Sequence, residues 1–226
     1  MAEPLATEGV GYEVLEREPP ELLGRNLSVG AYLLAGGTAF FFLCFLFAFF
    51  YLRSLNNAGM WKPKGVDASV AWGTVVVALY VASALLVRLG HADQVAERQS
   101  QWRQKGALAL ALGIAGLVVQ VIGWSHQGFG PADGGFASVY FGWTAFLFLF
   151  VFGTMYWLET VLATSIRYRK TVGEPAPGHA SGDPHRTAHD IEDPLSLVLP
   201  QLRALSFYWT FLAGIAVLAW VLLYLL

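Results

Sequence analysis

Five stretches of this chain run without a single charge for the length a helix needs to cross a membrane, and that leaves few folds open. They are Ala31–Tyr51, Val70–Val87, Gly106–Trp124, Phe136–Leu158 and Leu205–Leu226. About 20 apolar residues span a hydrocarbon core of ~30 Å as a helix. A lipid-exposed segment must satisfy its backbone groups internally, and a helix does so without partners. None of the runs alternates polar with apolar residues, which excludes a β-barrel. The predicted fold class is therefore all-α, a polytopic membrane bundle of five transmembrane helices. Composition agrees, with 56% hydrophobic and 13% charged residues, a balance unsuited to a small soluble domain.

The basic residues give the bundle a direction. Five spans place the two termini on opposite sides. One side collects Arg17, Arg25, Arg88, Arg98, Arg103, Lys105, Arg167, Arg169, Lys170, Arg186 and Arg203, and the other only Arg53, Lys62 and Lys64, which accounts for all 14. The basic-rich side is expected to be cytoplasmic, so the N-terminus is predicted inside and the C-terminus outside. Residues 1–29 contain six acids and no apolar segment, and read as a cytoplasmic tail rather than a signal peptide. Residues 30–226 form the transmembrane domain. Its one long connection, 167–203, contains TVGEPAPGHASGDPHRTAHDIEDP, a composition expected of a flexible cytoplasmic loop. The lone Cys44 lies mid-span and has no disulfide partner in the chain. A net charge of −2 points away from a nucleic-acid partner.

The third span carries the clearest packing signal. Gly106, Ala109, Gly113, Gly116, Gln120 and Gly123 follow steps of three and four, so they share one helix face. Small residues at that spacing admit another helix closely, within the bundle or from a partner subunit. Three residues are candidate intramembrane polar or lipid contacts: Thr38, Glu159 and Trp72. Glu159 is read as the one carboxylate in or near a span, and such a group is a functional candidate. Trp61, Trp72, Trp124, Trp143, Trp157 and Tyr208 fall near predicted membrane boundaries and read as an anchoring belt.

Chemistry is sparse. His91, His126, His179, His185 and His189 all fall outside the five runs, so the side chains that usually ligate haem or copper are not expected at membrane depth. No bound redox centre or metal is predicted. His179, His185 and His189, with Asp183 and Asp190, lie in the Gly/Pro-rich loop, where a solvated linker is the plainer reading than a metal site. No Walker-type or GxSxG motif occurs.

The order of elements resembles subunit III of the haem–copper (cytochrome c) oxidases in its five-helix bacterial form. FFFLCFLFAFFYLR (Phe40–Arg53) resembles the family's FF-x-x-LF-A-x-YFYLR. Trp61-Lys62-Pro63 stands at a WPP-like turn, and GIAGLVVQ (Gly113–Gln120) is similar to G-x-x-F-x-x-x-Q. ASVYFGWT (Ala137–Thr144) and Tyr208-Trp209 resemble the segments that open the last two helices. The resemblance also exposes departures. Thr38 stands where the family carries a membrane-embedded Glu, and Gly123 where it carries a second. The family's T-G-x-H-x-x-H-V reads Thr144–Val151 without either histidine, and its YWHFVD reads Tyr208–Ala213 without His or Asp. Groups linked in the family to proton uptake and lipid-headgroup binding are thus replaced.

The resemblance implies an accessory subunit that binds no cofactor itself, with haem and copper in its partner subunits. Subunit I is the main expected partner, with subunit II and a small subunit IV beside it, and phospholipid as the expected ligand. The implied location is the bacterial plasma (inner) membrane, multi-pass, in an aerobic respiratory chain. Other readings are the accessory subunit of a nitric oxide reductase, the scaffold of another respiratory complex, or a small transporter. For transport, Thr38, Ser83, Gln120 and Thr144 are few polar groups to line a path.

Overall fold

The computed structural model describes residues 20–56, 59–172 and 195–226. Among them lie five helices: α1 (Pro20–Ser54), α2 (Val70–Val95), α3 (Gln99–Ser125), α4 (Gly135–Val172) and α5 (Leu195–Trp220), the last continued by one π-helical turn at Val221–Leu225. All five are long and apolar enough to cross a membrane, and the described residues contain no strand. The chain is an all-α, multi-pass membrane protein.

Every helix outruns the uncharged stretch that announced it. A charge-free run measures the hydrocarbon layer, whereas a helix continues into the interface, where charged side chains stay hydrated. Thus α1 begins at Pro20, within the segment expected as a tail, and α4 runs to Val172. The connection expected over 88–105 contracts to three residues, 96–98. His91 consequently lies on α2 rather than in a loop, and His126 caps the C-terminus of α3. His179, His185 and His189 lie outside the described residues.

The short α2–α3 turn is built from backbone geometry and one carboxylate. Glu97 adopts φ +59°, the left-handed conformation that ends many helices. Its N–H donates to Gln94 O at 3.1 Å, and Arg98 N–H donates to Asp93 O at 2.8 Å. Together these form the paired bonds of a Schellman cap. The Asp93 side chain is buried, takes Arg98 Nη2 at 2.9 Å and pairs with Lys105 through its other oxygen. Glu159 is therefore not the only carboxylate on a span. Asp93 sits only six residues beyond the second uncharged run, and Lys105 is placed opposite it by the hairpin.

Chain neighbours are not all spatial neighbours. α5 packs on α1, α2 and α4, while α3 packs on α2 and α4. α1 makes no extensive contact with α2 or α3. The contacts also sort the ends. Gly73 at the start of α2 meets Tyr224, Gly24 on α1 meets Pro200, and Phe136 N–H donates to Trp61 O at 2.8 Å. The helices accordingly run up and down, with the α1 end, α2 start, α4 start and α5 end at one pole, and the basic segments at the other.

Candidate functional site

The six residues of the α3 stripe are all buried, and their neighbours lie within this chain. On the α2 side, a Cβ added at Gly116 would come within 2.5 Å of the Tyr80 ring. Ser83 Oγ on α2 donates to the backbone carbonyl of Ala109 at 2.7 Å. On the α4 side, a Cβ at Gly113 would overlap Met155 Sδ. One at Gly106 would stand 2.9 Å from Trp102 and 3.3 Å from Leu162 Cδ1. Gly123 is looser, 3.6 Å from Trp72 Cβ on the same measure. The stripe thus seats Tyr80 of α2, Met155 of α4 and the Trp102 of its own helix.

Buried polar groups pin helix to helix at three depths. Thr38, 2% exposed, shares a hydrogen bond of 3.1 Å with Tyr208 Oη, joining α1 to α5. The next residue on α5, Trp209, turns about 100° away and donates from Nε1 to Ser83 Oγ at 3.1 Å. Ser83 passes the bond on to Ala109, so α5, α2 and α3 form one relay. Towards the less basic pole, Tyr140 Oη accepts from Gln127 Nε2 at 3.0 Å and from Tyr224 Oη at 3.2 Å, with Gln120 beside it. Trp124 Nε1 donates to Thr144 Oγ1 at 3.0 Å. At the basic pole, Arg103 of α3 donates to Ser165 O on α4 at 2.6 Å.

Where the family resemblance places polar groups, this chain has packing. Thr38 is held by Tyr208 as described. Leu147 and Phe150 occupy the two histidine positions. Leu147 is buried, and Phe150 packs its ring at 5.8 Å from Phe41 and 5.7 Å from Phe42. Phe42 also lies 5.8 Å from Trp143, so a run of rings joins α1 to α4. Ala213 is buried in the core, and Thr210 donates to Ser206 O at 2.7 Å on its own helix.

The remaining candidates lie apart from one another. Trp72 is half-buried, its ring 5.6 Å from His126. Glu159 is exposed, at one end of an apolar groove of ≈ 480 Å³ between α3 and α4. No group of three or more His, Cys, Asp or Glu side chains converges among the described residues. The expected aromatic belt is corrected for three members: Trp61, Trp143 and Tyr208 are core residues, Trp143 with no exposed surface at all. Position in a run sets depth only, while the helix face decides between lipid and interior.

Sequence reasoning missed Asp93, Tyr80 and Trp102. Asp93 was legible in the Asp93/Arg98/Lys105 pattern, once the helix is extended beyond its uncharged run. The large rings seated on glycines carried no signal, because their partners are set by tertiary approach.

No curated protein matches the chain. The sequence profile of cytochrome c oxidase subunit III does match, over residues 20–175. That match covers well over half of the chain and agrees with its five membrane-crossing helices, so the chain belongs to the cytochrome c oxidase subunit III family.

Proposed function

We propose that this chain is a cofactor-free accessory subunit of a bacterial haem–copper terminal oxidase, packing against subunit I and stabilising it. Family membership implies assembly with other oxidase subunits. The observation that carries the finer reading is the fate of the polar positions. Thr38, Leu147, Phe150 and Ala213 are all absorbed into helix packing, so little side-chain chemistry remains for proton or electron transfer. What the chain offers is a rigid, apolar helical surface. Haem and copper then belong to subunit I and subunit II, with a small subunit IV as a further neighbour.

The same reading places the protein in the bacterial plasma membrane with its N-terminus cytoplasmic, since the basic pole carries the positive-inside residues. Phospholipid is part of it too: the groove between α3 and α4 is apolar and open at the surface of the membrane-spanning helices. The test is purification through an affinity tag on this chain in mild detergent. The expected product is a complex with haem absorbance and copper. Recovery of the chain alone and monodisperse overturns the partner, and stoichiometric haem on the isolated chain overturns the cofactor-free role.

A further inference from the structure

An ionisable side chain on a membrane-spanning helix almost always faces the protein interior or a water-filled cavity, and is paired there. Glu159 breaks that rule. It lies within the apolar span of α4, Gly135–Arg167, yet its side chain is exposed. Among the described residues it joins no ion pair and accepts no hydrogen bond. The carboxylate of Asp93, by contrast, is buried and takes two cations.

Depth denies Glu159 an easy route to water. On α4 the basic pole is marked by Ser165, whose carbonyl takes Arg103. Glu159 stands six residues before it, about 9 Å further in along the helix axis. Side chains on a helix lean towards its N-terminus, and α4 begins at the opposite pole. Glu159 therefore leans away from the nearer interface, and it lacks the long stem by which a lysine snorkels back. What it leans towards is the hollow of ≈ 480 Å³ between α3 and α4, walled by Ile114 and Val118 on one side and Phe152 and Tyr156 on the other. These four are all exposed, and Glu159 is the one charged residue on the wall. Left bare, this face sets a carboxylate against hydrocarbon with nothing to compensate it.

We infer that the Glu159 end of the α3–α4 groove is the docking site for a transmembrane helix of a partner subunit, and that a lysine, arginine or histidine of that helix pairs with Glu159. The inference rests on the proposed accessory role, and it names the face and the chemistry by which the chain meets its partner. A helix laid there gains apolar contact along the groove wall and a charge pair at one point. The cation is what the site selects for, because ionised groups at membrane depth are tolerated when they pair with one another. A helix crossing at this end leaves the other end of the groove, beside Val121 and Phe148, to lipid chains.

The test is photo-cross-linking from the groove wall in native membranes. The full chain carries Tyr156→p-benzoylphenylalanine, about one helical turn from Glu159. After illumination the tagged chain is purified under denaturing conditions, and the adduct is identified by peptide mass spectrometry. The expected adduct is a membrane-spanning peptide of another polypeptide, with Lys, Arg or His in the span. Adding Glu159→Gln should lower its yield about tenfold, whereas Glu159→Asp, which keeps the charge, should retain most of it. Thermal unfolding of the chain in detergent should be the same for all three, which separates lost docking from lost folding. Adducts with lipid alone, with a second copy of this chain, or with a helix that carries no cation would each overturn the site. So would an undiminished yield in the glutamine variant. Failure here is distinguishable from failure of the proposed function: a haem-bearing complex that co-purifies while Tyr156 captures only lipid removes this face and leaves the oxidase reading standing.

Discussion

Thr38 illustrates how one residue can keep a position while losing its chemistry. The resemblance puts a carboxylate there; this chain has a hydroxyl that meets Tyr208 at 3.1 Å in a buried setting. Hydrogen bonds between membrane helices contribute about 0.6 kcal/mol on average and up to about 1.7. Thr38→Val and Tyr208→Phe should each lower stability by an amount in that range, and the double variant should cost little more than either single one. Thermal unfolding in detergent, arranged as a double-mutant cycle, checks this; full additivity would deny the bond. The α3 stripe gives a sharper contrast. Gly116→Ala drives a methyl into Tyr80 and should destabilise by about 1–3 kcal/mol. At Gly123 the nearest atom to a new Cβ is 3.6 Å away, an ordinary contact. There Gly→Ala should stabilise by up to about 1 kcal/mol through helix propensity. Opposite signs in the same unfolding assay are the expected result. The small residues and their spacing were legible in the sequence; which of them bear a ring was not.

Among the elements, the α2–α3 hairpin is the most tightly specified. Two uncharged runs announce its helices, yet neither predicts a turn of only three residues. That turn depends on the Asp93 carboxylate taking two cations and on a left-handed Glu97. Both involve charged residues that hydropathy treats as loop. Asp93→Asn removes the charge that holds Arg98 and Lys105, and should cost about 1–3 kcal/mol, a loss that shrinks in high salt because Arg98 is exposed. Glu97→Gly relieves a residue that disfavours its backbone conformation, and should raise stability by about 0.5–1 kcal/mol. A melting temperature that falls in the glycine variant would show that the Glu97 side chain contributes more than its backbone costs.

Over the whole molecule, α5 is the organising helix although it is the last in the chain. It reaches α1, α2 and α4, and sends Tyr208 to one neighbour and Trp209 to another. The separation of α1 from α2 follows, and with it a groove lined by Arg25, Arg88, His91 and Arg203. The proposed orientation has a direct check at this scale. A green fluorescent protein fused to the N-terminus should fluoresce, and an alkaline phosphatase fused after Leu226 should be active. The reverse pattern would invert the bundle and place the basic groove in the outer leaflet.

Helix number and fold class are readable from the chain alone because the bilayer imposes a one-dimensional rule: the backbone must be satisfied within each apolar segment, so hydropathy along the chain counts the spans. The tight face of α3 is readable for a related reason, since a helix repeats its faces at a fixed period. Partner and depth are different matters. Whether Trp143 meets lipid or lies in the core, whether Gly116 holds a ring, and whether basic side chains from three separate helices share one groove depend on how helices rotate and cross. Those choices are made by pairwise packing between distant segments, and no local pattern in the sequence encodes them.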